Sequence, residues 1–292
     1  MTIGATVRLL AVMVLWATCF PLITIGLDLA PHLAFAALRA ALAGVCLTAL
    51  GAFCHRPIPV GARSWFLIVV VGLGATTMGF LGMFHAAEFV SPGLATVIAN
   101  VQPILAAVLA YVFLGERLKA TGRIGLAVGL AGIAVVAWPG IAGDNARGYS
   151  QGIAYVLLAA TGVSIGNVAI KRLTGQVDPI MAMGFQSLVG AAPLALLSIL
   201  REDVSLLTWS PEFLLVLLAL AVFGSALASW LWFESLERVT LSQANAFTFL
   251  VPIFGLVVGA AFFGERFEAI QATGILLVLT GIFLVQRGAA SS

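Results

Sequence analysis

The chain has 292 residues, 62% of them apolar and 9% charged, where an ordinary soluble domain carries roughly 25% charged residues. Fourteen Lys and Arg with twelve Asp and Glu cannot coat a 30.3 kDa particle in polar atoms, so lipid must cover it, and the mean hydropathy of +1.13 agrees. A cytosolic enzyme is excluded, and a net charge of +2 without a basic run excludes a nucleic-acid partner.

Cut at its polar clusters, the sequence gives ten apolar stretches, each near the roughly 20 residues that cross a hydrocarbon core as a helix. Their limits are 5–26, 32–53, 64–85, 92–114, 120–139, 149–170, 179–200, 212–234, 241–263 and 268–286. The expected fold is therefore an all-α polytopic membrane protein. Its connections are too short to hold a soluble domain, so any chemistry belongs to the bundle.

The first span has Arg8 ahead of an apolar core, but nine spans follow, and it reads as a retained helix rather than a signal peptide. Trp16 lies at mid-span with an indole N–H to satisfy, which makes it a candidate cavity residue, and Pro21 breaks the helix behind it. The second span holds Arg39, the one ionisable residue well inside a span, seven residues or roughly 10 Å of helix past His32. Burying an Arg costs about 2.5 to 3.5 kcal/mol on insertion scales. Two readings stay open for it: contact with a solute, or a structural pin to carbonyls or the interface.

Near the middle of the fourth span lies Asn100-Val101-Gln102-Pro103. A proline there frees a carbonyl and kinks the axis, which is tolerated where neighbours or a wet cavity satisfy the freed group. The flanking amides suggest a cavity wall; interhelical hydrogen bonding, averaging about 0.6 kcal/mol, is the alternative. Gln186 in the seventh span takes the place of Arg39 when Pro31 is set against Asp178, and the ninth span breaks at Pro252, with Asn245 and Thr248 just ahead. Among the six tryptophans, Trp65, Trp138, Trp209 and Trp232 fall near span ends and read as an interfacial belt, while Trp230, one turn inside, is a cavity candidate. His85 and Glu234 read as solvated span ends. No carboxylate lies deep in a span, so proton coupling is not inferred.

Cys19, Cys46 and Cys54 have no paired spacing, and His32, His55 and His85 are far apart, so no disulfide, metal or cofactor is expected. Gly125 and Gly129, Gly162 and Gly166, and Gly255 and Gly259 fit close helix approach. A homodimer is compatible with such faces.

With the N-terminus inside, ten Lys or Arg gather in inner loops and three in outer ones, which puts both termini in the cytoplasm by the positive-inside rule. Sliding the chain by 149 positions aligns Pro103-Ile104 with Pro252-Ile253 and Gly115-Glu116-Arg117 with Gly264-Glu265-Arg266; 12 of 33 positions from residue 103 to 135 are identical. Two halves of five spans each, residues 1–143 and 144–292, must then enter the membrane from opposite sides, an inverted repeat of the kind secondary transporters use. The charges follow: inner Lys119 corresponds to outer Glu268, and outer Phe89 to inner Arg238. Each Gly-Glu pair reads as a helix stop and the start of the next helix.

Trp16, Ala37-Leu38-Arg39, and two passages carry a family likeness. One passage runs from Phe84-His85-Ala86-Ala87-Glu88 to Pro103 and Gly115-Glu116-Arg117-Leu118; the other runs from Phe233-Glu234-Ser235-Leu236-Glu237 to Pro252 and Gly264-Glu265-Arg266-Phe267. The chain resembles the EamA-like family of the drug/metabolite transporter superfamily over nearly its whole length. The resemblance implies ten helices in two inverted five-helix repeats around a central cavity, and export of amino acids or other small metabolites. Ala160 stands where the family often has a second tryptophan, which leaves Trp16 without a symmetric mate.

The expected function is an inner-membrane secondary transporter working by alternating access about the breaks at Pro21, Pro103 and Pro252. Trp16 would cover the solute, Asn100, Gln102, Gln186 and Asn245 would hydrogen-bond it, and Arg39 would face a carboxylate. The competing classes are a membrane enzyme or a lipid-handling or structural membrane protein. An enzyme would need convergent His, Asp or Glu groups, of which the spans offer almost none.

Overall fold

In the computed structural model residues 3–114, 119–142, 146–245, 247–248, 250–264 and 266–289 are described, and among them every regular element is helical. Among the described residues nine helices are long and apolar enough to cross a membrane: α1 Ile3–Leu27, α2 His32–Phe53, α3 Ala62–Ala86, α4 Pro92–Phe113, α5 Ala120–Pro139, α6 Arg147–Leu173, α7 Pro179–Arg201, α8 Pro211–Leu236 and α9 Gln243–Phe263. A further helix, α10 (Ala269–Ala289), has a shorter apolar run, Ala269–Gly281.

Local chemistry sets the starts. Helices α4, α7 and α8 begin at Ser91-Pro92, Asp178-Pro179 and Ser210-Pro211, a pre-organised first position behind a capping residue. Asp178 Oδ1 accepts from the N–H groups of Ile180 (3.0 Å) and Met181 (3.1 Å), and Ser210 Oγ from Phe213 N–H (3.1 Å). Helix α2 starts at Pro31 without a cap of its own; the Glu202 carboxylate, at the far end of α7, accepts from Leu33 N–H (2.7 Å) and Ala34 N–H (2.8 Å) and ties the two helices together. At the end of α9, Gly264 takes a φ of +64°, the left-handed turn that stops a helix. The matching Gly115-Glu116-Arg117 and Glu265 lie outside the described residues.

Three spans are interrupted where proline removes a donor. Helix α1 breaks at Thr18 ahead of Pro21, α4 at Asn100 and Val101 ahead of Pro103, and α9 at Phe247 and Thr248 ahead of Pro252. Two further irregularities have no proline: α3 and α8 each widen into π-helical turns, Gly72–Met78 and Ala219–Leu227. Such turns cluster at functional sites.

The most extensive pairings are α5 with α10, α2 with α7 and the crossing of α3 with α6. At that last crossing a Cβ on Gly162 would sit 2.4 Å from the Gly74 carbonyl oxygen, so only glycine admits the contact. Gly166 faces Ala75 of α3, Gly129 faces Gly281 of α10, and Gly255 faces Thr96 of α4. Apolar clusters built from several spans leave the broken middles of α1 and α4 and the π turns facing one another.

Candidate substrate cavity

Between these interruptions lies a cavity of about 190 Å³. That space is many times the roughly 10–15 Å³ that a single water needs, enough for a small organic solute. Five of the seven sequence-derived contact residues line it: Trp16, Arg39, Asn100, Gln102 and Gln186. Trp230 and Asn245 are not brought to it. Trp230 packs half-buried against an apolar cluster, and Asn245 is buried at the end of a short helix before the α9 break. From the breaks themselves Ala99 and Thr248 reach the lining; each carbonyl stands four residues ahead of a proline that cannot donate to it.

Arg39 is 2% exposed. Its Nε donates to Ser225 Oγ (2.8 Å) and its Nη2 to the Gly224 carbonyl (3.3 Å) and Cys19 Sγ (3.3 Å), while the guanidinium lies 4.3 Å from the centre of the Phe80 ring. The π turn of α8 supplies Gly224 and Ser225. All these contacts are neutral, and Nη1 has no hydrogen-bond partner among the described residues. The long stem does not reach the interface.

Three further buried groups of the lining are in the same position: Asn100 Oδ1, Gln102 Nε2 and Asn167 Nδ2. An unpaired buried polar atom costs about 1–3 kcal/mol, and four of them lie around this one cavity. Gln186 differs. Its Oε1 accepts from Thr76 Oγ1 (2.7 Å) and its Nε2 donates to Ser187 Oγ (2.9 Å), so its amide is already engaged.

Trp232 belongs to the cavity and not to an interfacial belt. Its indole N–H donates to Asn167 Oδ1 (2.9 Å), the side chain is 1% exposed, and its ring centre lies 5.1 Å from that of Trp16. A position near the span end does not make Trp232 interfacial, because this end of α8 packs against α1 inside the bundle. Trp138 and Trp209, by contrast, are more than half exposed, as a belt requires. Asn167 was legible as an amide inside a span, and Thr76, Ser187 and Ser225 as small polar groups at depth; only packing shows that they converge.

His85 is no solvated end either. Its ring stacks between His32 (5.1 Å) and Tyr155 (4.9 Å), and His32 Nε2 lies 2.7 Å from Glu88 Oε1. This cluster joins α2, α3 and α6 at the same end of the bundle as Glu202.

Comparison with known sequences settles the family. The profile of the EamA-like transporter family matches residues 4–138 and again 150–287. The chain belongs to the EamA-like transporter family. Among its relatives, a chloroplastic WAT1-related protein of Arabidopsis thaliana is 33% identical over 258 residues, 86% of this chain and 61% of that protein, so the chain spans less than two thirds of that relative's length. An uncharacterized transporter of Bacillus subtilis is 28% identical over 281 residues, covering 96% and 91% of the two chains. A probable amino-acid metabolite efflux pump of Salmonella typhimurium is 27% identical over 284 residues, covering 94% and 92%. A solved crystal structure superposes with a TM-score of 0.72 at 22% identity, covering 99% of both chains, which establishes likeness of fold. The match of the EamA-like profile to two segments accounts for both halves of the chain, and with the apolar helices it makes this a multi-pass membrane protein.

Proposed function

We propose that this EamA-like protein is a ten-helix secondary transporter of the cell inner membrane, with both termini cytoplasmic, that exports a small organic metabolite by alternating access. Its units are residues 1–143 and 144–292, two inverted five-helix repeats. Supporting this, helices that correspond in the repeat pack on each other, α2 on α7 and α5 on α10. Both third spans of the repeats, α3 and α8, carry a π turn, and both fourth spans, α4 and α9, carry a break. A transporter built this way places its solute among broken helices at the repeat interface.

The observation that carries the reading is the cavity itself. It is small and largely apolar, it is lined from both halves, and unpaired atoms of Arg39, Asn100, Gln102 and Asn167 surround it. Among its described lining residues no pair of carboxylates and no His is present to perform acid–base chemistry, so the geometry favours holding a solute over transforming one. The relatives' names, transporter and amino-acid metabolite efflux pump, point the same way. Purified protein in liposomes, tested against an amino-acid and metabolite panel after thermal-shift selection, checks the proposal, since a ligand of the folded state raises apparent stability by mass action. Arg39→Gln and Asn100→Ala proteins should move the selected solute more slowly. Parental rates for every solute would overturn the site, and a C-terminal tag found outside the cell would overturn the topology.

A further inference from the structure

The charges around the cavity are all of one sign. Arg39 is the one charged side chain among the described residues that line it; no Asp or Glu is present. The nearest carboxylates along α2 are already committed: Glu202 to the N–H groups of Leu33 and Ala34 and the Ser198 hydroxyl, and Glu88 to His32, about two turns of helix from Arg39. Glu234, two residues beyond Trp232 on α8, is not part of the lining. A guanidinium held only by neutral acceptors, with Nη1 unpaired, is missing the negative partner that charges at membrane depth ordinarily have.

From this we infer that the solute is a monocarboxylate with a flat apolar body and no free ammonium group, an organic acid or an N-acylated amino acid, and not a zwitterionic amino acid. The inference rests on the transport reading of the same cavity. A carboxylate would supply the missing charge to Arg39 Nη1 through a charge-assisted hydrogen bond, the stronger kind. The amide donors Gln102 Nε2 and Asn167 Nδ2 also suit an anion. The tilted Trp16 and Trp232 rings and the Phe80 ring that already backs Arg39 provide flat apolar walls for the body.

An ammonium group in the same small, low-dielectric space would be repelled by Arg39 and would find no anion to offset its desolvation. A neutral N–H is different. Asn100 Oδ1 is an unpaired acceptor and can take the hydrogen of an acylated nitrogen. The chemistry of the lining therefore separates the two forms of one nitrogen, accepting the amide and rejecting the ammonium.

The test uses four solutes with one aromatic body: 3-phenylpropionate, N-acetylphenylalanine, phenylalanine and phenethylamine. Binding to the full-length protein in detergent is followed by thermal shift and by quenching of tryptophan fluorescence, and transport by uptake into liposomes. Each of the two acids should bind at least tenfold more tightly than phenylalanine, a difference of about 1.4 kcal/mol, and phenethylamine should leave the signals unchanged. Asn167→Asp replaces the unpaired amide with a carboxylate of the same shape and keeps an acceptor for the Trp232 N–H; it should raise the affinity of phenylalanine relative to 3-phenylpropionate at least tenfold. Phenylalanine binding as tightly as 3-phenylpropionate overturns the inference, as does an Asn167→Asp protein that folds with an unchanged ratio. Silence toward all four solutes also overturns it. The transport reading falls separately, only when the wider metabolite panel is silent too.

Discussion

Arg39 of α2 and Gln186 of α7, which hold corresponding places in the proposed repeat, are both buried and both face one cavity, yet they are in opposite states. The amide of Gln186 is engaged on both its atoms by Thr76 and Ser187, whereas the guanidinium of Arg39 keeps one nitrogen unpaired. The two breaks differ in the same sense. In α4 the break exposes Asn100 and Gln102 to the cavity; in α9 the lining side chains are Thr248 and Val251, and the Thr248 hydroxyl donates to the Asn245 carbonyl (2.8 Å). On the proposed repeat, one backbone plan carries different side chains in its two halves: Arg39, Asn100 and Gln102 of the first half and Asn167 of the second keep an unpaired polar atom.

Replacing Arg39 with Gln makes the two helices alike and should have the largest effect, lowering transport of the selected solute at least tenfold, or about 1.4 kcal/mol; uptake kinetics in liposomes measure it. Removing the indole acceptor comes next. Asn167→Ala leaves the buried Trp232 N–H unpaired and should cost about 1–3 kcal/mol of stability. A shifted tryptophan emission and a lower melting temperature would report it, and Trp232→Phe in the same background should add little loss of the same kind. Gln186→Leu should cost about 1 kcal/mol through the lost Thr76 bond and slow transport less than Arg39→Gln does. Equal slowing by the two variants would break the comparison, since the satisfied side would then matter as much as the unsatisfied one.

The smallest effect lies outside the bundle. The Ser205 hydroxyl and backbone N–H hold the Asp203 carboxyl below its ordinary value in the loop after α7. Because the folded value is the lower one, this contribution is present above the ordinary carboxylate range and is lost as pH falls through the lowered value. A carboxyl NMR titration of Asp203 should show that depressed midpoint, and Ser205→Ala, which removes the hydroxyl but keeps the backbone N–H, should bring it part of the way back.

How much was legible follows from what each signal depends on. Span limits, breaks and the family likeness are local or linear properties: an apolar run of about 20 residues has one solution in lipid, and a proline removes its own N–H wherever the chain goes. Trp16, Arg39, Asn100, Gln102 and Gln186 could be singled out because a polar or indole group at depth is costly enough to need a reason. Trp232 could not, because its distance from a span end says nothing about which helix its face of α8 packs against, and neither could the π turns, whose Gly72–Met78 and Ala219–Leu227 segments look like any apolar helix.

By itself, then, the sequence determined that this chain lives in lipid, where its helices begin and break, and which buried groups required an explanation. Tertiary structure alone decided which of those groups are satisfied. It paired Gln186 with Thr76 and Trp232 with Asn167 across the bundle, and left Arg39, Asn100 and Gln102 open to one cavity. The physical reason is that hydrogen-bond satisfaction is a short-range relation between helices distant in sequence, and only packing fixes which side chains come within about 3 Å of one another.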